Sequence, residues 1–202
     1  MIAIGCDHGG FALKQEVMRH LDELGLAYKD FGTYSEESCD YPIYGEAVAR
    51  AVAGEEYERG ILICGTGIGI SISANKVKGI RAALCGDCYS AEMTRRHNDA
   101  NILAMGARVR GPGRARKIVD TFLNTEFEGG RHARRIALIS DIENRGCRRL
   151  TQRRCADARP SQRRLPRPAQ PGQGLAGDLV DPRRADRAGS DFVLRRPEIH
   201  CL

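Results

Sequence analysis

Short apolar runs alternate with amphipathic stretches along the first part of the chain. The apolar runs occupy residues 1–5, 26–31, 61–63, 80–84 and 102–105. Runs of this length that end at glycine or polar clusters are typical of buried strands in a parallel sheet. The stretches between them repeat apolar residues every three or four positions, which predicts helices. The pattern therefore predicts an α/β fold with a doubly wound, Rossmann-like, five-stranded parallel sheet and helices on both faces.

The apolar positions of the predicted helices indicate which side of each helix packs on the sheet. In the first helix, 11–24, they are Leu13, Val17, Leu21 and Leu24. The helix that opens at Tyr41-Pro42 has an apolar face of Ile43, Ala47 and Ala51, with Val48 and Val52 beside it. A later helix, which follows Gly111-Pro112-Gly113, has Ala115, Ile118, Val119 and Phe122. The last predicted helix runs from about residue 130 to 144.

The composition changes after Gly146. Residues 147–202 contain 13 arginines, no lysine and 6 of the 8 prolines, and their apolar residues have no sustained period. Such a segment buries too little apolar surface to offset the entropy of ordering it, so a disordered tail is predicted for 147–202, after a folded domain at 1–146. A basic RNA-binding arm is the alternative, but Phe192 is the tail's only aromatic residue.

The charge distribution limits the classes of partner. The whole chain has a net charge of +6, but residues 1–146 have 19 basic and 20 acidic residues, a net charge of −1. The basic excess therefore belongs to the tail and predicts no specific nucleic-acid partner for the folded part. No run is long and apolar enough to indicate a membrane span, and no signal peptide is recognisable, so a cytoplasmic protein with free thiols is expected.

A glycine-rich loop follows the third predicted strand. It reads Cys64-Gly65-Thr66-Gly67-Ile68-Gly69, and a helical segment comes next. A strand that ends in such a turn before a helix points several backbone N–H groups at one place, where the helix dipole adds positive potential. The loop therefore predicts an anion site, with the Cys64 thiol beside it in a field that favours the thiolate. A tight strand-to-helix turn with a buried cysteine is the alternative.

Two further groups of residues carry candidate chemistry. Asp7 and His8 follow the first strand, and ligands of open α/β sheets bind beyond the carboxyl ends of strands, although Asp7 could serve only as a helix N-cap. Arg131 and Arg135 are four residues apart and share a helix face, where two guanidinium groups suit a phosphate. A solvated helix face is the alternative for this pair, and Arg108 adds a further candidate cation.

The cysteines do not predict a metal site. Cys85-Gly-Asp-Cys88 is a C-x-x-C sequence, but neither a second such pair nor a histidine pair at zinc spacing accompanies it in the sequence. We therefore predict that the protein uses no metal.

Six motifs together resemble a known family. The sequence closely resembles the type B ribose-5-phosphate isomerases and, more distantly, the galactose-6-phosphate isomerase subunits. The resemblance covers residues 1–146 and rests on G-C-D-H-G-G from Gly5, D-Y-P from Asp40, I-C-G-T-G-I-G-I-S from Ile63, R-H-N-D from Arg96, G-A-R-V from Gly106 and G-G-R-H from Gly129. Each motif is weak alone, but six in the same order and spacing are specific. The tail resembles nothing in the family.

The resemblance implies an enzyme that interconverts ribose 5-phosphate and ribulose 5-phosphate through an enediolate, in the pentose phosphate pathway. It implies that Cys64 is the proton acceptor, which places the chain in the cysteine branch rather than the branch with a glutamate base, and that His97 opens the sugar ring. The predicted catalytic set is Cys64, His97, Thr66 and Asp7, with Thr66 moving the hydroxyl proton. The predicted substrate-binding set is Asp7, His8, Tyr41, Gly65, Thr66, Gly67, Ile68, Gly69, Asn98, Arg108, Arg131 and Arg135.

The resemblance also implies a homodimer or a dimer of dimers, in which the His97 region reaches the active site of the partner, and an enzyme without cofactors. Two other functions stay open: an isomerase of a six-carbon sugar phosphate, such as allose or galactose 6-phosphate, and a non-catalytic subunit that binds a sugar phosphate or a nucleotide. A dinucleotide fingerprint would need a glycine one position later than Gly69, where the chain has Ile70, and no Walker lysine follows. The presence of Cys64 and His97 disfavours a non-catalytic subunit.

Overall fold

Five parallel strands form a single sheet in the order β2-β1-β3-β5-β4. The computed structural model describes the backbone of residues 1–157 and the side chains of residues 1–145. The strands are β1 (Ile2–Cys6), β2 (Tyr28–Asp30), β3 (Arg59–Cys64), β4 (Ala82–Leu84) and β5 (Ile102–Gly106). The helices are α1 (Phe11–Glu23), α2 (Tyr41–Ala53), α3 (Ile68–Ala74), α4 (Cys88–Asn98), α5 (Pro112–Asn124) and α6 (Arg131–Asp157), with a short 3₁₀ helix at His8–Gly10. The predicted α/β fold is confirmed.

The central strands are buried on both faces, and their side chains alternate between two apolar cores. Ile61 and Ile63 of β3 pack in the core under α1, α4 and α5, while Leu62 and Cys64 pack in the core under α2 and α3. This alternation follows from the two-residue period of a strand. It puts the Cys64 side chain on the face that α2 and α3 cover, at the end of its strand.

Two of the predicted helix faces need correction. Ile43 of α2 is 64% exposed, and the buried face of this helix consists of Gly45, Val48, Ala49 and Val52. These four positions have the spacing i, i+3, i+4 and i+7, so the true stripe lies beside the one predicted. Leu24 lies beyond the end of α1 and is 48% exposed. The predicted face of α5 is confirmed, since its four apolar residues are fully buried.

The prediction that the last helix ends near Asn144 is wrong. Helix α6 continues to Asp157, because residues 145–157 contain no proline and include five arginines, a residue that favours helices. The residues Met1–Arg159 form one compact unit, and the other, Pro160–Leu202, lies outside the described residues. The boundary after residue 146 stays a prediction, and most of the tail for which we predict disorder lies outside the described residues.

Lys14 is a charged residue in the interior. Its side chain is fully buried, and Nζ donates to both carboxylate oxygens of Asp30, at 2.7 and 2.6 Å, and to the carbonyl oxygens of Gly32 and Thr33, at 2.6 and 2.9 Å. All three ammonium hydrogens thus have acceptors. The lysine ties α1 to the start of the loop that connects β2 to α2.

Replacing Lys14 with Met should lower the free energy of unfolding by roughly 3–5 kcal/mol, because it leaves a partly buried carboxylate and two carbonyls without their donor. Urea unfolding of the two proteins measures this loss. The matched control is Arg50→Met, which breaks an exposed ion pair with Glu46 and should leave stability nearly unchanged. Equal effects of the two substitutions would contradict the structural role of Lys14.

No helix within residues 1–157 combines the length and the apolar character that a membrane-spanning segment needs.

Candidate active site

A cavity of about 230 Å³ opens at the carboxyl ends of β1 and β3. The chain runs from β1 outward to β2 and then crosses to β3 on the other side of β1, so the strand order reverses between these two strands. Such a switch point is where open α/β sheets bind their ligands. The cavity is lined by Asp7, His8, Gly9, Tyr41, Cys64, Gly65, Thr66, Gly69 and Arg108. Eight of these nine residues belong to the predicted site.

The Cys64 thiol lines this cavity. The residue is 4% exposed, and its Sγ accepts a hydrogen bond from the backbone N–H of Gly67 at 3.0 Å. A backbone donor aimed at sulfur stabilises negative charge there. In its thiolate form, Cys64 can therefore accept a proton from a ligand in the cavity.

The glycine-rich loop uses some of its own donors. Gly67 has φ of +80°, and a Cβ there would lie 2.5 Å from Leu84 Cδ1 and 2.7 Å from the carbonyl carbon of Met105, so only glycine fits. The N–H of Gly67 points to Cys64, and the N–H of Ile68 donates to Thr66 Oγ1 at 3.3 Å. Neither Gly67 nor Ile68 lines the cavity, in contrast to the other three predicted loop residues.

Arg108 is placed beside the loop by two backbone hydrogen bonds. The N–H of Ala107 donates to the carbonyl of Cys64 at 2.8 Å, and that of Arg108 donates to the carbonyl of Gly65 at 3.0 Å. The Arg108 side chain then packs on Gly65, where a Cβ would lie 3.5 Å from Nε. The cavity thus has a cation at its rim, which suits an anionic ligand.

Asp7 caps the short helix and also lies in the wall of the cavity. Its Oδ1 accepts the capping hydrogen bond from the N–H of Gly10 at 3.0 Å.

The remaining predicted residues form a second cluster, which does not line the cavity. His97 and Asn98 end α4, and Arg131 and Arg135 lie in the first turns of α6. The His97 ring stacks on that of His132 with centroids 4.2 Å apart and planes 2° apart. Both Nε2 atoms face the Glu128 carboxylate, at 3.8 and 3.7 Å, and this carboxylate also pairs with Arg96.

The two groups lie at opposite edges of the sheet. Helix α4 returns from the carboxyl end of β4 to the amino end of β5, so His97 lies at the amino edge, whereas Cys64 lies at the carboxyl edge. At about 3.3 Å per residue, the five-residue β5 separates these edges by roughly 15 Å. One chain therefore does not bring His97 and Cys64 to the same ligand.

The second cluster is cationic rather than metal-like. His97, Glu128 and His132 have candidate ligand atoms within 4.8 Å of one another. The imidazole planes are parallel, however, so their lone pairs do not converge on one point, and Arg131 Nε donates to His132 Nε2 at 3.4 Å. These contacts favour an anionic ligand.

The pKa of His132 lies below its ordinary value near 6.5, first because the ring is buried and then because His97, Arg131 and Arg135 repel its proton. As the pH falls below 6.5, His132 therefore becomes protonated in the unfolded chain before it does in the folded protein. The free energy of unfolding consequently decreases as the pH falls toward the lowered pKa.

Acidification from pH 7.5 to 5.5 should consequently destabilise the wild type more than it destabilises His132→Gln. The quantity to compare is the change in midpoint of urea unfolding between the two pH values, measured for each protein. If the wild type and the variant lost the same stability on acidification, this assignment would be refuted.

Four residues at or beside the predicted site were not predicted. Gly9 lines the cavity, Glu128 and His132 lie beside His97, and Cys39 lies beside His8. His132 stands inside the quoted G-G-R-H motif, which was a usable signal. Glu128 and Cys39 have no local signal, because their partners are about thirty residues away along the chain.

A doubly wound sheet with a thiol, a carboxylate and an arginine around a cavity at its switch point defines an α/β enzyme. Residues 2–139 match the profile of the Ribose/Galactose Isomerase family. The chain therefore belongs to the ribose/galactose isomerase family, and the predicted family and isomerase class are confirmed.

Individual relatives agree with this assignment. The chain is 56% identical to ribose-5-phosphate isomerase B of Escherichia coli over 144 residues, which cover 71% of this chain and 97% of the relative. It is 43% identical to D-erythrulose-4-phosphate isomerase of Pectobacterium atrosepticum over 144 residues, 71% of this chain and 95% of the relative. The structure of ribose-5-phosphate isomerase B from Clostridium thermocellum is 57% identical and superimposes with a TM-score of 0.71, over 71% of this chain and 97% of that one.

Proposed function

We propose that the protein interconverts ribose 5-phosphate and ribulose 5-phosphate, with Cys64 as the base. The observation that carries this proposal is the Cys64 thiol, which receives a backbone N–H and faces a cavity that also holds a carboxylate and a guanidinium group. The cavity volume of about 230 Å³ is below the range of about 300–1,000 Å³ for drug-sized ligands, which suits a small sugar phosphate.

The reaction moves a proton between C1 and C2 of the open-chain sugar. The Cys64 thiolate removes the proton from C2 of the aldose, the electron pair forms an enediolate, and the thiol returns the proton to C1. Thr66 lines the cavity and moves the hydroxyl proton between O1 and O2. Backbone N–H groups of the loop stabilise the developing oxyanion, and each such donor contributes about 3 kcal/mol to catalysis.

A second copy of the chain would complete this site. The predicted ring-opening acid, His97, and the predicted phosphate clamp, Arg131 and Arg135, lie at the amino edge of the sheet, away from their own chain's cavity. A homodimer in which the amino-edge cluster of one copy faces the cavity of the other would unite all of them. Arg131 and Arg135 are both exposed, so their guanidinium groups can receive a phosphate there.

The test is turnover of ribose 5-phosphate in D₂O by the full chain. We expect ribulose 5-phosphate to appear with solvent deuterium at the transferred position, because an enediolate exchanges its proton with solvent through the base. Erythrulose 4-phosphate and the 6-phosphates of allose and galactose belong in the same assay, since one relative bears the name of a four-carbon substrate. If one of these sugar phosphates had a kcat/KM tenfold above that of ribose 5-phosphate, the proposed substrate would be wrong and that sugar phosphate would take its place.

Replacing Arg131 with Ala should raise the KM for the phosphorylated sugar about tenfold or more, because a charge-assisted contact to phosphate is lost. Steady-state kinetics measure this change. Arg145→Ala is the matched control, an exposed arginine further along α6 that contacts its own helix backbone. The clamp would be refuted if turnover of unphosphorylated ribose fell by the same factor as turnover of the phosphorylated sugar.

A further inference from the structure

His8 is connected to Cys39 by two hydrogen bonds in opposite directions. The backbone N–H of Cys39 donates to His8 Nδ1 at 3.2 Å, and the backbone N–H of His8 donates to Cys39 Sγ at 3.3 Å. The two residues are 31 positions apart, one in the 3₁₀ helix after β1 and the other in the loop before α2. Nothing in the reaction described above uses Cys39.

The first of these bonds determines where the neutral imidazole carries its hydrogen. A ring nitrogen that accepts a hydrogen bond has no hydrogen of its own, so Nδ1 is unprotonated and the hydrogen lies on Nε2. The Cys39 Sγ lies 3.9 Å from the same Nδ1 and can only add a weak S–H donor on that side. Within residues 1–145, Nε2 itself has no protein hydrogen-bond partner, and His8 lines the cavity.

The loop that carries Cys39 is anchored at its beginning. The buried Lys14 ammonium binds the carbonyls of Gly32 and Thr33, and the N–H of Thr33 donates to the carbonyl of Cys6. The loop thus contacts both α1, through Lys14, and the last residue of β1, Cys6, which lies two positions before His8. These contacts explain how a backbone N–H in a polar loop reaches one nitrogen of a specific side chain.

We propose that Cys39 is a positioning residue that holds His8 as the neutral Nε2–H tautomer, so that the ring offers a hydrogen-bond donor to an oxygen of the sugar phosphate. The identity of the acceptor rests on the proposed function, whereas the tautomer does not. A ring in this form has no basic nitrogen toward the cavity and leaves Cys64 as the proton acceptor. Its donor acts on bound substrate and transition state alike, so its loss raises KM more than it lowers kcat.

The experiment starts with the wild-type full chain labelled with ¹⁵N-histidine, at neutral pH. Long-range ¹H–¹⁵N correlation distinguishes the two neutral tautomers and the charged ring, and the His8→Gln variant identifies the His8 signals by their disappearance. We expect an unprotonated Nδ1 and a protonated Nε2. A hydrogen on Nδ1, or a charged ring, would overturn the proposal without any substitution at Cys39.

Two substitutions then separate the backbone donor from the side chain. Cys39→Pro removes the N–H, and it should yield a mixture of tautomers and a KM about fivefold to tenfold higher with kcat little changed, the usual scale for one hydrogen bond. Cys39→Ala keeps the N–H and should keep the single tautomer. A Cys39→Pro protein with the wild-type tautomer and KM would refute the positioning role, and loss of the single tautomer in Cys39→Ala would refute its assignment to the backbone donor. If the Pro variant does not fold, the wild-type spectrum still tests whether His8 carries its hydrogen on Nε2, and the Ala spectrum still tests whether this tautomer is independent of the Cys39 side chain.

Failure of this proposal differs from failure of the proposed function. If His8 carries its hydrogen on Nε2 but the protein does not turn over ribose 5-phosphate, the role of Cys39 stands and the proposed substrate is refuted. If the protein turns over ribose 5-phosphate but His8 has another protonation form, the proposed substrate stands and the role of Cys39 is refuted.

Discussion

Cys64→Ala should lower kcat for ribose 5-phosphate by at least 10²-fold, because a general base contributes roughly 10²–10⁴ to the rate and no other thiol lines the cavity within residues 1–145. Binding of the sugar phosphate should change little, since the phosphate and hydroxyl contacts stay. Coupled assays give kcat, and isothermal titration of the inactive variant gives the dissociation constant.

The matched control is Cys88→Ala, which removes a half-buried free thiol that lies outside the cavity. Its kcat should equal that of the wild type. We would abandon Cys64 as the base if its Ala variant kept more than about a tenth of the wild-type kcat.

Mixing two inactive variants should restore activity. Cys64→Ala disables the carboxyl-edge cavity, and His97→Asn disables the amino-edge cluster, so a dimer with one copy of each would contain one intact site and one doubly impaired site. Random exchange of equal amounts yields half mixed dimers, and the activity should return to about a quarter of the wild-type value. The measurement is isomerase activity after the mixture has been left to exchange subunits.

The control mixes Cys64→Ala with Cys64→Ser, in which every site lacks the thiol, and it should stay inactive. If the Cys64 and His97 variants also stayed inactive together, although mass spectrometry detected mixed dimers, the site would not be shared between copies.

Much of the fold could be predicted because its signals are local. The strands Ile2–Cys6, Arg59–Cys64 and Ile102–Gly106 each contain a continuous apolar run, and a central parallel strand buried on both faces requires such a run. The loop after Cys64 could also be predicted, since its thiol, its glycines and the following helix lie within a dozen residues. By contrast, the face of α2 was misplaced at Ile43, because two adjacent apolar stripes are compatible with its sequence and only packing selects one.

The alternation of strands and helices, the glycine-rich loop with its thiol, and the motifs that indicated the family could all be recognised in the amino-acid sequence. Which of these motifs meet in space depends on the fold. Strand order brings Asp7 and His8 beside Cys64, and the direction of α4 takes His97 to the other edge of the sheet. Only the folded chain shows that Lys14 is buried against Asp30 and that the backbone N–H of Cys39 donates to His8 Nδ1. The physical reason is that local propensity acts over a few residues, whereas these contacts join groups that are distant in sequence and depend on strand order and packing.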